Sequence, residues 1–156
     1  MHRRPRLTWL LAAAVALAAV TAGTVWWLTR PLEVTAPVGA ADPACAELAA
    51  KLPASVQGQP RVATSSDSPA VAAWGDPAVI WRCGVRPPGP TTDECIEVNG
   101  VDWVRHPLKD GQSFTTFGRD PAVQVLVPNA YAPEPLVLPP FSDVVAAIAQ
   151  GEHRCR

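Results

Sequence analysis

Basic residues are scarce in most of this chain. From residue 31 onward it holds nine Lys and Arg against fourteen Asp and Glu, a net charge of −5, whereas the whole chain carries −1. Proteins that bind nucleic acid gather Lys and Arg on one surface, and docking on anionic lipid needs a similar cluster. No such cluster occurs after residue 31, which argues against a nucleic-acid partner and against electrostatic docking on a membrane surface.

Motifs of several enzyme classes are also missing. The chain has no Gly-x-Ser-x-Gly elbow, no His-Glu-x-x-His, no phosphate-binding glycine loop and no Ser-x-x-Lys. It has no Cys-x-x-Cys pair, which disfavours a redox enzyme, and its four cysteines are too scattered for a structural zinc site. We therefore expect no metal and no cofactor, and the sequence favours a non-catalytic protein over an enzyme.

Charged residues are missing altogether from residues 8–28. Twenty-one residues of helix reach about 30 Å, which matches the hydrocarbon thickness of a bilayer. Three arginines precede the run and Arg30 follows it, a distribution that keeps the N-terminus in the cytoplasm and places the rest outside. The alternative is a secreted protein whose signal peptide is cleaved near Ala22. The first interpretation divides the chain into a cytoplasmic basic tail, a single transmembrane anchor, a linker and one extracytoplasmic domain, over residues 1–7, 8–28, 29–41 and 42–156.

Four cysteines, all in the predicted outer domain, agree with that location. An even number of cysteines in an oxidising compartment predicts disulfides, and four cysteines allow three pairings. We expect Cys83 to pair with Cys95, because the two bracket a Pro/Gly-rich turn. We expect Cys45 to pair with Cys155, which would tie the first outer helix to the last.

Helical periodicity marks both ends of the outer domain, with strand signals between them. A helix is predicted over residues 43–52 with Asp42 as its N-cap, and another over residues 142–150. Asn99 and Gly100 predict a type I′ hairpin turn. The order of elements predicts an α+β domain, in which a mainly antiparallel sheet packs with an N-terminal and a C-terminal helix. Segments rich in Val, Ile and aromatic residues predict strands near residues 61–63 and at 78–83, 95–98, 101–105, 113–117 and 122–127.

One short pattern occurs twice in the outer domain. An aromatic residue and a glycine stand shortly before Asp-Pro-Ala-Val at residues 76–79 and again at residues 120–123. Asp-Pro is a good turn into an extended segment, so the two copies are interpreted as equivalent strand beginnings. The alternative hypothesis is that the two turns lie side by side and form a polar site from Asp76, Arg119 and Asp120.

Three tryptophans, Trp74, Trp81 and Trp103, are interpreted as core residues. The alternative is a stacking platform for an envelope glycan or peptide. The two histidines of the outer domain, His106 and His153, are interpreted as solvated surface residues. The candidate binding residues are therefore Trp74, Asp76, Trp103, Arg119 and Asp120.

Several motifs of the outer domain resemble those of one family. They are Ala-Trp-Gly-Asp-Pro-Ala-Val-Ile-Trp-Arg-Cys-Gly at residues 73–84, Cys95, Val-Asn-Gly-Val-Asp-Trp at 98–103 and Phe-Thr-Thr-Phe-Gly-Arg at 114–119. In this order they resemble an actinobacterial family catalogued as domain of unknown function 3515. The resemblance implies a membrane or secreted protein of unassigned function, and it carries over no catalytic residues.

Two functional hypotheses follow from the sequence. The first is a non-catalytic module of the cell envelope, anchored by a single membrane span, that binds an envelope protein or a cell-wall component. The alternative is a cell-wall or small-molecule enzyme that uses Asp76, Asp102 or Asp120.

Overall fold

The computed structural model describes residues 17, 19–21 and 30–155. The chain divides into two units, Met1–Pro31 and Leu32–Arg156. In the first unit, residues 17 and 19–21 are helical. The rest of the predicted membrane span over residues 8–28 lies outside the described residues. Within the described part of the chain, no helix has the length and apolarity that a membrane crossing needs.

The second unit is built on one sheet of eight strands with short helices before and after it. The N-terminal helix is Pro43–Ala49 and the C-terminal helix is Pro139–Val145. Two 3₁₀ turns, Asn129–Tyr131 and Glu134–Val137, precede the C-terminal helix. The strands are β1 (Ser55–Val56), β2 (Gln59–Val62), β3 (Val71–Trp74), β4 (Val79–Val85), β5 (Cys95–Val98), β6 (Val101–Leu108), β7 (Gly111–Thr116) and β8 (Ala122–Pro128).

The sheet consists of two four-stranded meanders that meet at its centre. The strand order is β1-β2-β3-β4-β8-β7-β6-β5, and every ladder between these strands is antiparallel. The predicted mainly antiparallel sheet with an N-terminal and a C-terminal helix is therefore confirmed. Each copy of the repeated Asp-Pro pattern lies between the third and fourth strands of its meander, so the two copies begin equivalent strands.

Local sequence signals predict most strands but not all of them. β5 has the predicted bounds, and Asn99 and Gly100 have φ values of 50° and 74°, as a type I′ turn requires. The sequence does not predict β1 or β3. All four residues of β3, Val-Ala-Ala-Trp, are buried, so this strand lacks the alternation of a half-exposed strand, and Ala has little strand preference.

Both helices are shorter than predicted. Asp42 Oδ1 accepts a hydrogen bond from the Ala44 amide at 2.8 Å, which confirms the predicted N-cap. The C-terminal helix begins at Pro139 and ends at Val145, whereas residues 142–150 were expected. The two prolines at its start occupy the first turn, where amide groups have no helical partner and a proline is tolerated.

The core lies on one face of the sheet. We define the inner face as the one that carries Trp81, Phe114 and Val125, which are in register on β4, β7 and β8. The Phe141 ring of the C-terminal helix packs edge-on against Trp74 on this face, with 5.3 Å between the ring centroids. The opposite, outer face carries the more exposed, polar residues of the same strands.

The structure corrects the predicted disulfides. It pairs Cys45 with Cys83 and Cys95 with Cys155, so the predicted pairs Cys83–Cys95 and Cys45–Cys155 are wrong. β4 and β5 are separated by three strands, which at about 4.8 Å per spacing puts them roughly 19 Å apart. That distance is far beyond the approximately 7 Å that a disulfide can bridge between Cα atoms. Cys45 and Cys83 also lie on the inner face, whereas Cys95 and Cys155 lie on the outer one.

The predicted linker belongs in large part to the second unit, which begins at Leu32 rather than at residue 42. The Leu32 amide donates to the Ala63 carbonyl at 2.8 Å, and Val34 is buried. Further along, the Gly39 amide donates to the Gly84 carbonyl at 3.0 Å. The backbones approach so closely here that a Cβ on Gly84 would lie 2.2 Å from the Gly39 carbonyl carbon.

Candidate functional site

Trp74 and Trp103, two of the candidate binding residues, are structural. Both side chains are fully buried, as is Trp81. Trp74 Nε1 donates to the Pro53 carbonyl at 3.1 Å, and Trp103 Nε1 donates to Ser142 Oγ at 3.0 Å. A stacking platform needs an exposed ring face, so the interpretation of these tryptophans as core residues agrees with the structure.

The two Asp-Pro turns do not form a joint site. Asp76 lies just before β4 and Asp120 just before β8, and these two strands are antiparallel, with Val85 opposite Ala122. The two strands therefore begin at opposite ends of their ladder. Seven residues of strand span roughly 20 Å. The hypothesis of a polar site from Asp76, Arg119 and Asp120 is wrong for this reason.

At one end of the ladder, Asp76 lies near the single tyrosine of the chain. Tyr131 Oη donates to the Pro77 carbonyl at 2.9 Å. Burial raises the pKa of Tyr131 above its usual value of 10.0, and repulsion between the phenolate and the Asp76 carboxylate raises this pKa further. The Asp76 side chain is exposed, so it affects Tyr131 through its charge rather than through packing.

Asp102 and Arg119 are buried beside the C-terminal part of the chain. Asp102 Oδ2 accepts a hydrogen bond from the Cys155 amide at 3.1 Å. The Arg119 guanidinium donates to the carbonyls of Ile148 and Gly100. Desolvation lowers the pKa of Arg119, the nearby Asp102 carboxylate partly offsets this, and Arg154 lowers it further. The two side chains hold backbone segments together, and neither lines any of the three clefts described below.

Asp120 is the candidate residue that lines a cleft. This Asp120 cleft has a volume of about 470 Å³ and lies at the Gly39 and Gly84 contact. Its lining includes the acidic Asp42 and Asp120 and the basic Arg86. Asp42 is already engaged as the N-cap of the first helix. Asp120 and Arg86 are exposed, so they are the charged groups that the cleft presents to a ligand.

Two further clefts were not predicted from the sequence. One, of about 440 Å³, is lined by Leu32, Ile80 and Asn129 among others. The other, of about 470 Å³, lies against the Cys95–Cys155 disulfide and is lined by His153 and Arg154. The sequence could not indicate the cleft at the Cys95–Cys155 disulfide, because this cleft depends on a cysteine pairing that differs from the predicted one.

The two histidines of the outer domain lie at the surface. His106 Nδ1 is 3.7 Å from Asp93 Oδ2, and both side chains are well exposed. The His153 ring packs edge-on against Phe117 at 5.5 Å between centroids. Within residues 30–155, no three His, Cys, Asp or Glu side chains come together as metal ligands do.

These observations define a class of protein: a disulfide-bonded domain with one antiparallel sheet, a buried tryptophan core and open clefts at its surface. The chain belongs to the family described as Protein of unknown function (DUF3515), which it matches over residues 7–153. The resemblance of its motifs to domain of unknown function 3515 is thereby confirmed. No curated protein and no solved structure matches the chain.

Proposed function

We propose that this protein is an extracytoplasmic domain held at the cell membrane by the apolar segment over residues 8–28. The observation that carries the proposal is the oxidation of all four cysteines of the outer domain into two disulfides. Disulfides form and persist outside the reducing cytoplasm. The basic residues before the apolar segment support the same orientation, because they tend to remain on the cytoplasmic side.

The domain acts as a binding or accessory module of the envelope. Its three candidate carboxylates are distributed over separate places: Asp76 and Asp120 lie at opposite ends of the central ladder, and Asp102 is buried against backbone groups. This separation favours binding over catalysis by a joint carboxylate site. The Asp120 cleft supports recognition of an envelope protein or a cell-wall component, because Asp120 and Arg86 offer an acceptor and a donor to one ligand.

Reporter fusions test the location. With a phosphatase that is active only outside the cytoplasm fused after residue 156, we expect enzyme activity, and with a fluorescent reporter that matures only in the cytoplasm we expect no signal. An uncleaved anchor keeps the protein in the membrane fraction after an alkaline wash, whereas cleavage near Ala22 releases it. A fusion that is active only in the cytoplasm would contradict the proposal.

Site-specific crosslinking tests the binding role. A photoreactive amino acid at Val38, which is fully exposed and lines the Asp120 cleft, is expected to form an adduct in the native cell. The same group at Leu136, exposed but in none of the three clefts, serves as the matched control. We expect Asp120→Asn to abolish the Val38 adduct with an unchanged melting temperature. Equal adducts from both positions, or adducts insensitive to Asp120→Asn, would contradict this use of the cleft.

A further inference from the structure

The two disulfides differ in their access to solvent. Cys45 and Cys83 are both fully buried in the core of the inner face. Cys95 and Cys155 are only half-buried, and both line the cleft of about 470 Å³ on the outer face, which we name the tail cleft. A thiol that attacks a disulfide must reach one of its sulfur atoms, so solvent access favours exchange at the second pair.

The Cys95–Cys155 disulfide attaches a segment of the chain that is itself little buried. This segment, residues 149–155, is exposed or half-exposed throughout and contains no helix or strand. Its other attachments are single hydrogen bonds, such as the one from the Gly151 amide to the Gly118 carbonyl at 2.6 Å and the one from the Cys155 amide to Asp102, and the edge-on contact of the His153 ring with Phe117. Each such bond contributes on the order of 1 kcal/mol, so the bridge is the strongest single attachment of the segment.

The segment covers side chains that would otherwise face solvent. Val104 lies opposite Cys95 in the β5 and β6 ladder, and it lines the tail cleft together with Phe117. Val104 and Phe117 are each less than a tenth exposed. The same is true of Asp102, whose carboxylate accepts a hydrogen bond from the Cys155 amide. Release of residues 149–155 would thus uncover an apolar patch and a carboxylate on the outer face of β6, next to the free edge of β5.

We propose that the Cys95–Cys155 disulfide is a thiol-exchange site that latches residues 149–155 over this surface. A thiolate of a dithiol reductant attacks one sulfur through the tail cleft, forms a mixed disulfide and releases the other cysteine as a thiolate, which takes up a proton. The second thiol of the reductant then resolves the mixed disulfide. The protein gains two electrons and two protons as two thiols, and the dithiol becomes a disulfide. This chemistry belongs to the folded domain and does not depend on the proposed function.

Graded reduction of the full chain in detergent tests the proposal. The protein is incubated with increasing dithiothreitol, quenched with a thiol-alkylating reagent, and the alkylated cysteines are identified by peptide mass spectrometry. We expect Cys95 and Cys155 to be modified at least tenfold faster than Cys45 and Cys83, while tryptophan fluorescence stays native. Equal rates for all four cysteines, or modification of Cys45 and Cys83 first, would overturn the proposal.

Hydrogen exchange distinguishes a latch from a passive bridge. In the selectively reduced protein we expect faster amide exchange at residues 149–155 and at Phe117, with unchanged exchange in the Pro43–Ala49 helix. The double variant Cys95→Ser, Cys155→Ser is expected to reproduce this pattern without reductant. If exchange at residues 149–155 is the same before and after selective reduction, the bridge does not act as a latch.

Discussion

The Asp102 carboxylate and the Arg119 guanidinium illustrate how charged side chains of this protein serve its architecture. Each is less than a tenth exposed, and each engages backbone groups on a different segment of the chain. A buried charge is tolerated only where hydrogen bonds and an opposite charge offset its desolvation. At the scale of single residues, the interpretation of Asp102 as structural rather than catalytic can therefore be tested by measuring how its substitution changes the free energy of unfolding.

We expect Asp102→Asn to lower the free energy of unfolding by about 1–3 kcal/mol, because Arg119 then stays buried without the negative charge that offsets its desolvation. The measurement is the urea midpoint of the full chain in detergent. Asp67→Asn, at an exposed carboxylate, is the control and should change stability by less than about 0.5 kcal/mol. An Asp102→Asn protein of unchanged stability that loses a cellular phenotype would instead support the enzyme hypothesis.

The titration of Tyr131 reports on the Asp76 turn. Because the chain has one tyrosine, phenolate absorbance measures this residue alone. We expect its pKa to lie above 10.0 and to fall toward 10.0 in Asp76→Asn, whereas Asp67→Asn should leave it unchanged. The raised pKa belongs to the folded state, so its contribution to stability is complete below pH 10.0 and is lost as the pH rises through the folded-state pKa. A pKa that does not respond to Asp76→Asn would contradict the proposed repulsion.

The roles of single residues could be predicted from the sequence only where the cause was local. Asp42 was identified as an N-cap because capping depends on the next three residues. The placement of Asp76 and Asp120 failed because it depends on the direction of two strands that are far apart in the chain. The Pro-Ala-Val that follows both residues reflects equivalent positions in the two meanders and not proximity in space.

At the scale of elements, the contact between the Leu32 to Asp42 segment and β4 depends on two glycines. We expect Gly84→Ala to reduce the free energy of unfolding by about 2–5 kcal/mol, since Gly84 has a φ of 86° and its added Cβ would overlap the Gly39 backbone. Gly89→Ala is the matched control, because nothing lies within 4 Å of a Cβ at that position. Thermal unfolding followed by circular dichroism measures both. Similar melting temperatures for the two variants would show that the segment does not pack as described.

Element prediction succeeded where a strand is half-exposed or a turn has a strict residue requirement. β5 and the turn at Asn99 and Gly100 are such cases. It failed for β3, whose residues are buried on both faces, and for the end of the C-terminal helix, where periodicity continues beyond Val145 although the backbone leaves the helix. Both failures have one physical cause: burial is decided by neighbouring elements, and a single sequence does not reveal them.

At the scale of the whole molecule, the two disulfides stabilise the fold by restricting the unfolded chain. Their sequence separations of 38 and 60 residues correspond to about 4 kcal/mol each on the chain-entropy estimate. Complete reduction should therefore remove about 8 kcal/mol, a large part of the 5–15 kcal/mol typical of a domain. We expect the melting temperature to fall by roughly 30 °C in excess reductant, measured by scanning calorimetry. A fall of only a few degrees would show that the core is stable without its bridges.

The junction of the two meanders has a consequence for how the protein could be divided. Each disulfide closes within one half of the domain, Cys45–Cys83 in the first and Cys95–Cys155 in the second. The described chain links the halves through residues 86–94, an almost entirely exposed loop. The β4 and β8 ladder, the shared core and hydrogen bonds such as that from Tyr131 Oη to the Pro77 carbonyl also join them. A protease cut in this loop would leave two internally crosslinked fragments that remain associated without a covalent bond. The domain is in this sense a fused heterodimer, and its two halves are suited to expression as separate, complementing polypeptides.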